Sequence, residues 1–164
     1  PVTDLYPHPL TRLLKALGVG MPKKVVALGG KFFYNGDRDV PDTFDMLIEY
    51  PQGMTVSLLG TIVNDTMIET VIRGSEGTMR FSGEAHLAVT PQPNSPERRR
   101  TIGTDRTGSD HMQDFIECVR TRRTPMCDIE LGYIVQTALI MGMRSYLEGK
   151  VAYWDAGNEE IRMS

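Results

Sequence analysis

Apolar residues follow helical spacing near both ends of the chain and alternate in the stretch between. Leu10, Leu13, Leu14 and Leu17 recur at i, i+3, i+4 and i+7, with Arg12 and Lys15 off the stripe. That spacing predicts a helix with one buried face. Pro7 and Pro9 fit only its first turn, where a missing N–H does no harm. Gly18, Gly20 and Pro22 end it. Lys24 to Tyr34 is rich in Val and aromatics and predicts a strand, closed by the Asn35-Gly36-Asp37 turn. Thr43 to Tyr50 alternates, with Phe44, Met46, Ile48 and Tyr50 on one face. Pro51-Gln52-Gly53 turns the chain into Met54 to Val63. Met67 to Arg73, Thr78 to Phe81 and Ala85 to Thr90 are further strands. Short connections between successive strands favour antiparallel pairing. Pro91 to Gly108 reads as a surface loop, with room for one irregular strand.

Two more helices follow. Ser109 or Asp110 caps the first of them, with Gln113 completing a weak capping box. Met112, Phe115, Ile116 and Val119 form its expected buried stripe, and Thr124-Pro125 ends it. Asp128 caps the next helix, which runs to about Glu148 with Gly149 as its C-cap. This helix is apolar on most sides, which calls for cover on more than one. Such a short chain barely supplies that cover, which hints at a further domain or a partner. Val151 to Trp154 is a last short strand. The pattern is α+β: an open, mostly antiparallel sheet with helices packed on one face.

Composition narrows the function classes. The chain has 164 residues, which at roughly 150 residues per domain is one domain spanning 1–164. It is 40% hydrophobic and 24% charged, near globular averages. A net charge of −3 disfavours a general binder of nucleic acid or anionic membrane. No apolar run reaches the roughly 18 residues of a membrane helix. The chain begins at Pro1 and its first segment reads like the middle of something longer, so the missing signal peptide is uninformative.

Few residues can carry chemistry. Asp4 and His8 stand four apart at a helix start and can face one side. A carboxylate beside an imidazole is an acid/base arrangement in which the carboxylate orients the ring and raises its basicity. The helix N-terminus opposes that, favouring the neutral ring. The plainer reading is an exposed Asp and a helix-capping His. His111 opens the second helix as a surface residue or as part of a pocket rim. His86 lies in a strand and receives no role. Three His without Cys or carboxylate at ligand spacing argue against a metal. Cys118 and Cys127 match no zinc or redox motif and read as buried, inert thiols. Arg98-Arg99-Arg100 reads as a solvated run. Gly18-Val19-Gly20 follows a helix and precedes a strand, whereas a dinucleotide loop needs strand, tight turn, then helix. There is no Gly-x-Ser-x-Gly elbow.

Taken in order, these segments resemble the C-terminal domain of the glucose–fructose oxidoreductase / inositol dehydrogenase / MocA (Gfo/Idh/MocA) family. The likeness begins with Asp4-x-x-x-His8 and the leucine helix. It continues through Pro22-x-x-Val25-x-Ala27-x-Gly29-Gly30, then Arg38-Asp39-Val40-Pro41-Asp42-Thr43, Glu49-Tyr50-Pro51-x-Gly53 and Ile72-x-Gly74-x-x-Gly77-Thr78. The most telling stretch is His111-Met112-x-Asp114-Phe115-x-x-Cys118-Val119-Arg120-x-Arg122, followed by Pro125, a long helix, and Gly149-Lys150-Val151-x-x-Trp154-Asp155.

The resemblance implies half of a two-domain enzyme. Family members hold NAD or NADP in an N-terminal Rossmann domain that has no counterpart here. The C-terminal domain shapes a sugar or polyol pocket and commonly dimerises through its free sheet face. By the family's Asp-x-x-x-His motif, His8 is the expected acid/base and Asp4 orients it. Tyr6, Arg12 and His111 are the expected substrate contacts. Many members have Gly where this chain has Tyr6, and Asp where it has Thr11, so the pocket is shaped differently. The expected protein is a cytoplasmic homodimer or higher oligomer, and the isolated chain is expected to be inactive and prone to associate. Two alternatives stand beside this reading. One is a non-catalytic dimerisation module, and the other is an NAD-dependent glycosidase of the same family.

Overall fold

The computed structural model describes residues 2–34, 36–82, 86–96, 98–103 and 111–164. They divide into two compact units, Pro1–Asp65 with Cys127–Ser164, and Thr66–Met126.

The first unit holds α1 (Pro7–Leu17), β1 (Lys24–Gly30), β2 (Thr43–Tyr50) and β3 (Met54–Leu58). The second unit contributes β4 (Val71–Arg73), β5 (Gly77–Ser82), β6 (His86–Pro91), β7 (Arg100–Gly103) and α2 (His111–Thr121). The chain then returns to the first unit with α3 (Ile129–Glu148), β8 (Ala152–Asp155) and β9 (Glu160–Met163).

The first unit is an antiparallel sheet in the order β3-β2-β1-β8-β9. Its register pairs Val25 with Ile48 and Ala27 with Met46, so the expected alternation on β2 falls on one face. Phe44, Met46, Ile48 and Tyr50 are all buried there, with Val25, Ala27, Val56 and Ala152. α3 lies across this face and α1 packs on α3. Leu10 and Leu14 of α1 and Val135, Ala138, Leu139 and Met141 of α3 complete the core. Burying a residue such as Leu14 is worth about 1.5–3 kcal/mol each. α3 comes close to β2 at Gly142, where an added Cβ would sit 2.7 Å from the end of Met46. α1 therefore supplies part of the cover that the apolar α3 requires.

The caps follow the sequence. Pro7 and Pro9 occupy the first turn of α1, and Gly18 closes it at φ 63°. Asp128 Oδ1 accepts from the Leu131 N–H at 2.8 Å to start α3, and Gly149 ends it at φ 64°. Ser145 of α3 does something periodicity could not show. β8 pairs with β1 only at Lys24 and Val25, leaving the Ala27 N–H without a strand partner. The Ser145 hydroxyl accepts from Ala27 N at 3.0 Å and donates to the Lys150 carbonyl at 2.5 Å. It bridges the gap where the ladder ends.

Several boundaries move for visible reasons. The strand expected to reach Tyr34 stops at Gly30, because the Phe33 and Tyr34 N–H groups turn to the Asp42 carboxylate, at 2.8 and 3.0 Å. The strand expected over Met54 to Val63 ends at Leu58, where Gly60 N donates to Asp45 Oδ1 at 3.0 Å instead of to β2. The strand expected from Met67 shortens to Val71–Arg73. β9 went unpredicted: Ile161 and Met163 are only half-buried, alternating with exposed neighbours. They pack at the margin of the core.

The second unit is an antiparallel meander in the order β4-β5-β6-β7. The loop after Pro91 contains a regular edge strand, β7, exposed along its length. The stripe expected to be buried on α2 is not: Met112 is 61% exposed and Phe115 59%, with Ile116 and Val119 also exposed. Asp114 and Cys118 are buried instead. What fixes the helix in this unit lies on that polar side, where Asp114 Oδ1 accepts from Arg123 at 2.6 Å and Oδ2 from Met126 N at 3.2 Å. The expected caps Ser109 and Asp110 lie outside the described residues, and Gln113 reaches Glu117 at 3.4 Å. α2 ends on Arg122, at φ 61°, whose N–H bonds the Cys118 carbonyl at 2.8 Å. Cys127, expected buried, is exposed. Among the described residues no helix is long and apolar enough to cross a membrane.

Candidate functional site

The Asp4-x-x-x-His8 segment sits where the chain enters α1. Asp4 lies in the preceding turn and His8 in the first helical turn, and both are exposed. Tyr6, between them, holds the N-cap position, where its side chain makes no capping bond. Two prolines in the first turn remove donors that a cap would otherwise serve. Asp4 and His8 share no hydrogen bond or ion pair, so their placement comes from neighbouring residues.

The strongest of those neighbours is Tyr6. Its half-buried ring meets Phe44 edge-on, with centroids 6.2 Å apart. Its hydroxyl donates to the Phe44 carbonyl at 2.5 Å. Burial, with a smaller contribution from the Asp45 carboxylate, pushes the phenol up to about 12. Gly60 faces the ring so closely that any Cβ there would overlap the Tyr6 hydroxyl. Beside this contact lies a cavity of about 60 Å³, lined by Leu5, Tyr6, Asp42, Gly60 and Thr61 among others.

Asp42 forms the floor of the same region. It is 2% exposed. Burial alone would raise its pKa, but the N–H groups of Phe33, Tyr34 and Phe32 and the Thr43 hydroxyl outweigh that and hold the carboxyl below its usual range. The carboxylate thus organises the loop carrying Phe32, Phe33 and Tyr34. Arg38 lies 5.2 Å from the Tyr34 ring centroid. The Arg38 carbonyl accepts from Lys31 Nζ at 2.8 Å. Sequence reasoning assigned Asp42 only to the motif Arg38 to Thr43; its role required the fold.

The other expected site residues fall as follows. Arg12 is exposed on α1, one turn after His8. His111 is exposed at the start of α2 in the second unit, near Asp114, whose carboxyl is held low chiefly by Arg123 and Met126 and slightly by His111. Asp4 and Tyr6 thus precede α1, His8 and Arg12 lie on it in the first unit, and His111 belongs to the other unit. A cavity of 60 Å³ holds water rather than a sugar, since ligand pockets run to about 300–1,000 Å³.

Gly18-Val19-Gly20 does not form a dinucleotide cradle. Gly18 is the left-handed C-cap of α1 and leads through Gly20 and Pro22 into β1, so no helix N-terminus faces the glycines. Among the described residues no group of His, Cys, Asp and Glu is placed to hold a metal ion.

The fold and this helix-entry pair define an α+β domain whose antiparallel sheet carries an Asp-x-x-x-His segment at one end. Residues 1–80 match the GFO/IDH/MocA C-terminal domain. None of the curated proteins matches the sequence. Among solved structures, an NAD-binding protein from Listeria innocua is similar at 18% identity and TM-score 0.68, over 92% of this chain and 46% of that one. A levoglucosan dehydrogenase in complex with NADH and levoglucosan matches at 20% identity and TM-score 0.68, over 90% of this chain and 48% of its own. A UDP-N-acetylglucosamine 3-dehydrogenase from Acidithiobacillus ferrooxidans matches at 19% identity and TM-score 0.65, over 88% and 48%. These likenesses show the fold. The chain spans about half the length of each of those proteins.

Proposed function

We propose that this chain is the substrate-facing and dimer-forming half of an NAD(P)-dependent oxidoreductase that acts on a hydroxyl or carbonyl of a sugar or polyol. The observation that carries the reading is Asp4-x-x-x-His8 at the entry to α1, inside the segment that matches the family. The nucleotide belongs to protein outside this chain and supplies the redox chemistry. The chain's own part is proton transfer. His8 takes the proton from the substrate hydroxyl during oxidation, or returns it to the carbonyl oxygen during reduction. Asp4, one turn earlier, orients the imidazole, since both side chains are exposed and can rotate into contact. Arg12, one turn beyond His8, offers its guanidinium to substrate oxygens. The solved sugar dehydrogenases of the same fold support the substrate class.

The open face of the first sheet supports the dimer. Val26, Leu28, Leu47 and Tyr153 are exposed there. A groove of about 250 Å³ runs between Val26, Leu47, Tyr153 and the Lys24–Glu49 pair. A second copy covering this face would bury the apolar strip.

The test is to express the complete reading frame and assay sugars and polyols with NAD and NADP. The expected result is a frame that runs upstream through a Gly-rich dinucleotide domain, and nucleotide-dependent turnover of a carbohydrate. A start codon immediately before Pro1, with no nucleotide binding, would overturn the reading in favour of a dimerisation module. Release of an aglycone with no net change in NAD would reassign the chain to a glycosidase.

A further inference from the structure

The β2–β3 ladder contains a substitution that involves Tyr6. The register places Met46 opposite Leu58 and Thr43 opposite Thr61, which puts Phe44 opposite Gly60. Such a pair exchanges two backbone bonds when it is a hydrogen-bonded one. Only one forms here: Phe44 N donates to the Gly60 carbonyl at 2.9 Å. The Gly60 N–H leaves for Asp45 Oδ1, at 3.0 Å. The Phe44 carbonyl takes the Tyr6 hydroxyl instead, at 2.5 Å. A side chain from the helix entry has replaced the missing ladder donor.

The geometry closes around that replacement. Gly60 is the residue type that leaves room, because a Cβ would overlap the hydroxyl and lie 2.7 Å from the ring carbon that bears it. Immediately beyond, the strands rejoin: Ile62 N donates to the Asp42 carbonyl at 2.9 Å, and the Thr43 and Thr61 hydroxyls meet at 3.1 Å. The opening is one residue wide and is filled by Tyr6. Tyr6 lies two residues after Asp4 and two before His8, and its own carbonyl accepts the Leu10 N–H at 3.2 Å, starting α1.

We propose that Tyr6 is a positioning residue: keyed into the β2–β3 ladder opposite Gly60, it sets the register of the Asp4–His8 segment on the sheet. The residue expected to touch substrate thus directs its hydroxyl proton into the fold, and its effect on the reaction passes through His8. This inference rests on the proton-transfer role proposed for His8 above, and its test has two arms so that the two can fail separately.

The first arm uses this chain. Tyr6→Phe keeps the ring and removes the donor, and Gly60→Ala displaces the ring. Both variants are expected to speed amide exchange at Leu10 about five- to tenfold, with Leu14 and Ala27 unchanged. The double variant is expected to show less than the sum of the two single effects. Unchanged exchange at Leu10 in both variants overturns the keying. The second arm uses the complete enzyme. Tyr6→Phe is expected to lower kcat roughly 10- to 100-fold with KM within about twofold. A KM increase with kcat unchanged would make Tyr6 a substrate contact and overturn the inference. Loss of turnover in His8→Ala with none in Tyr6→Phe would overturn it while leaving the function intact. No turnover in the unsubstituted enzyme would overturn both, leaving Tyr6 a structural plug alone.

Discussion

α1 and α2 are both 11-residue helices with an apolar stripe, and they end in opposite situations. In α1 the stripe is covered: Leu10 and Leu14 are buried against α3 and the sheet behind it. In α2 the stripe Met112, Phe115, Ile116 and Val119 stays in solvent, and the buried positions are Asp114 and Cys118. The same periodicity thus had two outcomes. Spacing identifies the side of a helix that needs cover; whether cover exists depends on what the rest of the unit offers. The first unit has a long apolar helix over a sheet, while the second has a meander with no fully buried apolar strand residue among those described.

The largest effect that would sharpen this contrast is a pair of truncations at comparable stripe positions. Leu14→Ala is expected to cost about 2–5 kcal/mol, and Phe115→Ala less than about 0.5 kcal/mol in this chain. Urea unfolding of both variants measures it. Equal losses would break the comparison by showing that the α2 stripe is covered in solution. Next comes Ser145→Ala, which leaves the Ala27 N–H and the Lys150 carbonyl without their bridge. A loss of about 2 kcal/mol is expected, and a loss near zero would show that water replaces the hydroxyl.

Acid distinguishes the units in another way, since among the described residues each contains one buried carboxylate. Asp42 and Asp114 both titrate lower in the folded than in the unfolded chain. Their contribution is therefore complete above the ordinary carboxylate value of about 4 and is lost as pH falls through their folded values. Thermal melts followed from pH 6 down to about pH 2 should show falling stability in the acid range. Asp114→Asn should flatten that slope, and a slope unchanged by the variant would contradict the account. The smallest effect expected is at Arg122, which is held at φ 61° at the end of α2. Arg122→Gly is expected to stabilise by about 0.5 kcal/mol, read as a raised Tm, because Gly adopts that conformation without a Cβ penalty.

Much of the first unit was legible from the sequence. β2 was read to the residue, with its buried face, and so were the prolines, Gly18, Asp128 and Gly149 at the ends of α1 and α3. Those features rest on local rules: alternation, proline's missing donor, a carboxylate at an N-cap. What stayed hidden depends on partners distant in sequence. Nothing near Ser145 announces that it bridges Ala27, 118 residues away. Gly60 and Tyr6 explain each other only once β2 and β3 are paired. β1 stops early because Asp42, nine residues beyond Phe33, takes the N–H groups that a longer strand would have used. The candidate pair rests on a different basis. Asp4 and His8 were picked out by spacing and by resemblance to a family, and the fold adds how the segment between them is held.

The most direct test of the account is the turnover of the complete enzyme carrying His8→Ala, with circular dichroism to show that the fold is kept. The account predicts that kcat falls by about 10²–10⁴-fold while the nucleotide still binds. Unchanged turnover in a folded His8→Ala variant would contradict it.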